Sequence, residues 1–193
     1  MTDMGTHHME TIQWFMGAEA PLSAVAAGGK LMEREPFETP DTLRALWEYP
    51  GWTLEFGIRE ASGYNRERSL FGILFHGTGG TLYIDRAGFE ITPDRGKAPA
   101  MVVGTPRDPN YMPETLSRRH IQNFLTCMRT RELPRADVEI GHRATTVCHL
   151  GNIAYRTGRK IRWDSRREQI LDDAEAGKLL VRDYRAPYLL PEL

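Results

Sequence analysis

The 193-residue chain, 40% hydrophobic and 26% charged, has the size and texture of one globular domain with a single core, and is too short for a two-domain dehydrogenase. A formal charge of -1 and a pI near 6.6 exclude a global attraction to nucleic acid or an anionic membrane, and mixed-sign runs such as Arg166-Arg167-Glu168 read as solvated, salt-bridging surface. With no apolar run of about 18 residues and no basic-then-apolar leader, and with Cys127 and Cys148 in apolar helical stretches that favour buried thiols, the sequence reads as soluble and cytoplasmic, without disulfide or metal.

In chain order, a helix is predicted from about Thr6 to Met16, with Met9, Ile12, Phe15 and Met16 on one face and Gly17 as its C′ stop. Short alternating runs follow: Val25 to Met32, Thr42 to Tyr49, Trp52 to Arg59, Leu70 to Phe75 and Thr81 to Asp85. In the third run Leu54, Phe56 and Ile58 face one way while Thr53, Glu55 and Arg59 face the other, the mark of an antiparallel strand with one solvated side. Turn signals separate the runs at Tyr49-Pro50-Gly51, Gly77-Thr78-Gly79-Gly80 and Arg86-Ala87-Gly88. A loop from about Lys97 to Pro113 leads to a helical final third. There, Leu116 to Thr130 carries a stripe of Ile121, Phe124, Leu125 and Met128 and is ended by Pro134. Val138 to Thr157 turns Val147, Leu150, Ile153 and Ala154 inward and is stopped by Gly158, and Asp172 with Glu175 caps a short helix ending near Val181. The architecture is α+β: an open, mostly antiparallel sheet with helices packed on one face, in a single domain over 1–193.

Chemistry concentrates in Asp3-Met4-Gly5-Thr6-His7-His8-Met9-Glu10, where two acids and two imidazoles crowd a helix start. With Thr6 near the N-cap, His7 and Glu10 share a face, and Asp3 can fold back toward His7 across a flexible Gly5. A carboxylate beside an imidazole sets its tautomer and basicity, which suits acid–base work near neutral pH; the same histidines could equally cap or pack the helix start. His142 and His149, seven apart, do not have the four-residue spacing of a helical metal pair, and Trp47, Trp52 and Trp163 fit a core or an interface better than a sugar platform.

The Asp3-x-Gly5-x-His7-x-x-Glu10 spacing, running on through Ile12-Gln13-Trp14-Phe15-Met16-Gly17, resembles the opening of the C-terminal domain of Gfo/Idh/MocA oxidoreductases. Later stretches are similar to the bacterial-type branch of that family: His120 to Arg129, Val138 to Arg143, Leu150 to Tyr155, Trp163-Asp164 and Tyr184-Arg185-Ala186-Pro187-Tyr188. The resemblance implies a dihydrodipicolinate-reductase-like C-terminal fold and an NAD- or NADP-dependent parent acting on a sugar or polyol. It implies His7 as the acid–base or positioning group, Asp3 as its orienting partner, and Glu10 as a substrate-binding residue where the family more often has Asp. It also implies a homo-oligomer formed through the open sheet face, with Trp47 or Phe56 in the interface core.

Two elements of the family pattern are missing. No Gly-x-Gly-x-x-Gly follows a strand, and no lysine precedes a proline, so neither the dinucleotide turn nor the usual lysine partner of the histidine is present. The chain therefore reads as a substrate-side domain inactive alone, binding no cofactor by itself, with its nucleotide domain absent. The competing readings are a non-catalytic sugar-binding or oligomerisation module and a fragment of an NAD-assisted glycosidase.

Overall fold

The computed structural model describes residues 1–18, 20–32, 38–60, 72–85, 88–94, 101–104 and 113–189, and the chain divides into two compact units. Unit 1 comprises Met1–Ser62 and His142–Leu193; unit 2, Gly63–Gly141, is inserted between its halves in sequence.

Unit 1 is an antiparallel sheet of five strands in the order β3-β2-β1-β8-β9. The strands are β1 (Ser23–Gly29), β2 (Thr42–Tyr49), β3 (Trp52–Arg59), β8 (Ile161–Asp164) and β9 (Gln169–Leu171). Strand β2 alternates as its sequence does: Leu43, Ala45, Trp47 and Tyr49 are buried, while Arg44 and Leu46 are exposed. Its partner β3 places Leu54 opposite Trp47 and Phe56 opposite Ala45, so these belong to the same covered face. That face packs on α3 (Val138–Thr157), whose Val147, Leu150, Ile153 and Ala154 are buried as the periodicity predicts. The Trp47 indole N–H donates to the Val147 carbonyl at 3.0 Å, and a Cβ on Gly151 would lie 2.5 Å from the Trp47 ring. Only a glycine lets helix and indole approach this closely.

The expectation that Trp47 and Phe56 lie on the open sheet face is therefore corrected. Trp47 is fully buried against α3, and Phe56 is half-buried beside Gly5 and His8. The opposite face carries Val25, Ala27, Arg44, Leu46, Thr53, Glu55 and Gly57, with an Arg44–Glu55 ion pair at 2.6 Å. Arg44 reaches Glu55 by crossing Gly57, its direct cross-strand neighbour.

Several boundaries also move. Strand β1 begins at Ser23, because Ser23 and Ala24 pair with both β2 and β8; Met32, placed in the strand by pattern, instead gives its amide to the Asp41 carboxylate at 2.8 Å. Strands β8 and β9 are too short for the alternation signal, yet β8 completes the sheet with Ile161 and Trp163 facing inward. The last short helix, α4 (Ala174–Gly177), is capped by Asp173, whose carboxylate accepts the Ala176 amide at 3.0 Å, rather than by Asp172. Asp172 instead has φ 60 and pairs with Arg162, while a 3-10 turn over Lys178–Leu180 brings the chain to Val181.

Unit 2 is a four-stranded antiparallel meander followed by a helix. Its strands are β4 (Ile73–Gly77), β5 (Gly80–Asp85), β6 (Gly88–Pro93) and β7 (Met101–Gly104), paired in that order. The glycines at 77–80 form the β4–β5 hairpin, as expected; Leu70 and Phe71 lie outside the described residues, and β7 falls inside the stretch read as loop. Helix α2 (Pro113–Thr130) stops before Pro134, because Arg131 turns left-handed at φ 64 while its amide bonds to the Cys127 carbonyl. Its stripe of Ile121, Phe124, Leu125 and Met128 is about half exposed, so helical period and burial do not coincide there.

Both cysteines are free and buried. No helix of the structure is long and apolar enough to cross a membrane.

Candidate functional site

The candidate site lies on α1 (Met4–Met16), which starts two residues earlier than its sequence signals indicate. Asp3, not Thr6, is the N-cap, and its side chain makes no cap bond; the Thr6 hydroxyl bonds to the Thr2 carbonyl at 3.1 Å. Gly5 is thus a first-turn helical residue rather than a flexible joint, and it is buried. A Cβ there would touch Phe56 and Cys148 at 3.4 and 3.6 Å, so the missing side chain lets the first turn lie close to both. Gly5, Met9, Ile12 and Gln13 form the buried face of α1, and Gly17 ends it at φ 58.

With that face fixed at 100° per residue, the outward side is determined. Asp3, His7, Glu10 and Trp14 fall on one exposed stripe at steps of four, three and four. His7 is exposed, whereas the half-buried ring of its neighbour His8 lies tilted against Phe56 with centroids 6.3 Å apart. The packed histidine is therefore His8, and the one open to a ligand is His7. Asp3 lies one turn before His7 and Glu10 nearly one turn beyond. No hydrogen bond joins any of the three to another among the described residues. The arrangement can do one thing directly: present an imidazole, flanked fore and aft by carboxylates that accept hydroxyl protons, to a molecule lying along the helix.

Beneath this stripe the Cys148 thiol lies 3.7 Å from the Thr6 hydroxyl, and burial pushes its pKa up, making it a packing group rather than a nucleophile. Burial likewise raises Tyr49, whose ring stacks on Trp52 with centroids 4.0 Å apart. His142 pairs with Glu168 at 2.6 Å rather than with His149, and among the described residues no group of three His, Cys, Asp or Glu could hold a metal ion. Sequence reasoning did not single out Trp14, which the structure leaves exposed on this stripe. The signal was available, since Trp14 stands seven residues beyond His7 on the same stripe, but its place in the motif run concealed it.

Residues 106–190 match the family model described as "Oxidoreductase family, C-terminal alpha/beta domain" of the Gfo/Idh/MocA group. That stretch of the chain is similar to the C-terminal domain of Gfo/Idh/MocA oxidoreductases. The fold is also similar to an aldose-aldose oxidoreductase from Caulobacter crescentus complexed with glycerol, at 19% identity and TM-score 0.62, covering 83% of this chain and 46% of that one. An oxidoreductase from Agrobacterium radiobacter in complex with NAD+, L-tartaric acid and magnesium matches at 15% identity and TM-score 0.59, covering 83% and 48%. The WlbA dehydrogenase from Bordetella pertussis in complex with NADH and UDP-GlcNAcA matches at 17% identity and TM-score 0.56, covering 84% and 45%. The chain spans about half the length of the solved structures it matches. No curated relative matches its sequence. A dinucleotide does not fit the glycine cluster of unit 2: Gly77–Gly80 turns strand into strand, with no helix N-terminus to receive a pyrophosphate.

Proposed function

We propose that this chain supplies the substrate side of an NAD- or NADP-dependent oxidoreductase acting on a sugar, polyol or related hydroxyl compound. The observation that supports it is the α1 stripe: a helix anchored through Gly5, Met9 and Ile12 holds His7 outward between Asp3 and Glu10. The glycine turn at 77–80 offers a dinucleotide no helix N-terminus, and the chemistry proposed for this chain is confined to the proton. His7 takes the proton of the reacting hydroxyl in oxidation and returns it in reduction. Asp3, one helical turn before it, takes the part of the carboxylate that orients the ring once substrate is bound. Glu10, one methylene longer than Asp, accepts hydrogen bonds from neighbouring substrate hydroxyls. The nucleotide comes from a second domain, and this chain alone binds neither NAD nor NADP.

The test joins the chain to a nucleotide-binding half and compares wild type with His7→Ala. Turnover on aldoses and polyols should fall roughly 10²- to 10⁴-fold, the range for a positioned acid–base group. The melting curve of the isolated chain should move by no more than about 0.5 kcal/mol, because an exposed ring has no core contact to lose. A large melt shift with an unchanged rate would show instead that His7 is a structural residue.

A further inference from the structure

Of the four tryptophans in the chain, three are used in packing. Trp47 is fully buried, Trp163 is 7% exposed, and Trp52 stacks on Tyr49. Trp14 is 80% exposed. Its position follows from the same buried face that fixes His7: two helical turns further on, on the same side, about 10 Å along the axis at 1.5 Å per residue. Phe15 meets its ring edge-on, with centroids 5.5 Å apart and planes at 85°, which limits its swing. Read along the helix, the stripe is a carboxylate, an imidazole, a carboxylate and an aromatic plate.

That order matches the two-sided chemistry of a ring sugar. Rim hydroxyls suit carboxylates that can each accept two hydrogen bonds, while the flat C–H face suits an aromatic ring. An acyclic polyol has the hydroxyls and lacks the flat face. The distance from His7 to Trp14 also exceeds a single sugar ring. We propose that Trp14 is a stacking platform for the distal ring of a glycoside or disaccharide whose reacting end lies at His7, so that the stripe selects extended ring sugars over acyclic polyols. The proposal rests on the reading of His7 given above.

The test uses this chain as it is, labelled with 15N. The Trp14 indole resonance is assigned through Trp14→Phe and the His7 imidazole through His7→Gln, and the chain is titrated separately with cellobiose, sorbitol and NADH. Cellobiose should move Trp14 and His7 together on one saturable curve, and sorbitol should move His7 alone. Trp14→Leu should weaken cellobiose roughly tenfold and leave sorbitol unchanged, a loss of the size expected for one aromatic stacking contact. Trp14→Phe should retain most of the affinity and checks the result if the leucine variant folds poorly. If cellobiose moves His7 and leaves Trp14 still, the platform is overturned while the reading of His7 stands. If neither sugar moves either residue, both fall. Trp14 moving without His7, with NADH but not sugar, or with protein concentration alone would each overturn the proposal, the last by making it a contact between copies.

Discussion

Gly151 sits where an added methyl would meet the Trp47 ring at 2.5 Å, and Trp47 can retreat little, because its indole N–H is committed to the Val147 carbonyl. Gly151→Ala should therefore destabilise unit 1 by about 1–3 kcal/mol, the usual cost of overpacking, although alanine is the better helix former. Chemical denaturation would measure it, and a gain in stability would mean that α3 and β2 are held less closely than the structure shows. Cys148 gives a prediction about pH. Burial raises its thiol pKa from the ordinary 9.0, so the unfolded chain ionises first as pH rises. The stability this group contributes is fully present below pH 9.0 and is lost as pH climbs from there toward the raised value. At pH 8 a thiol reagent should modify native Cys148 far more slowly than the same residue in denaturant, while Thr6→Ala removes its hydroxyl neighbour without exposing it.

Among the elements, α4 leans on one side chain for its cap. Asp173 accepts the Ala176 amide and also pairs with Arg159 at 2.7 Å, so Asp173→Ala should cost about 1–2 kcal/mol in thermal denaturation, with Asp173→Asn recovering much of the cap. The elements that could be read in advance share one property: their pattern and their packing agree. Strands β2 and β3 alternate and are buried on alternate sides, and α3 is periodic and buried along that period. Where the two diverge, reading fails. Strands β8 and β9 are four and three residues long, too short to alternate visibly, and exist because β1 offers a free edge. Alternation alone cannot place Trp47, because it divides strand residues into two sets without saying which set a helix covers. On α1 the spacing of Asp3, His7 and Glu10 was legible, but the helix start was not. It depends on Gly5 lying against Phe56 and Cys148, contacts more than 50 and 140 residues away in sequence.

At the scale of the whole molecule, the sheet face of unit 1 turned away from α3 is small and mixed in character, with Ala27 exposed and Leu46 39% exposed beside the Arg44–Glu55 pair. If copies associate through it, as the family resemblance implies, Leu46→Glu should place like charge beside Glu55, its direct cross-strand partner, and shift the protein toward monomer in sedimentation. Unchanged sedimentation would exclude this face from any self-association present. The connectivity of the same sheet also bears on how the protein is made. Strand β1 pairs with β2 about twenty residues on and with β8 roughly 140 residues on, while every strand pairing of unit 2 joins sequence neighbours. During synthesis at about 5–20 residues per second, the far edge of β1 waits on the order of ten seconds for its partner to leave the ribosome. The inserted meander has all its strands well before then, so unit 1 closes after them, and until β8 arrives the far edge of β1 stands unpaired and open to pairing with other strands.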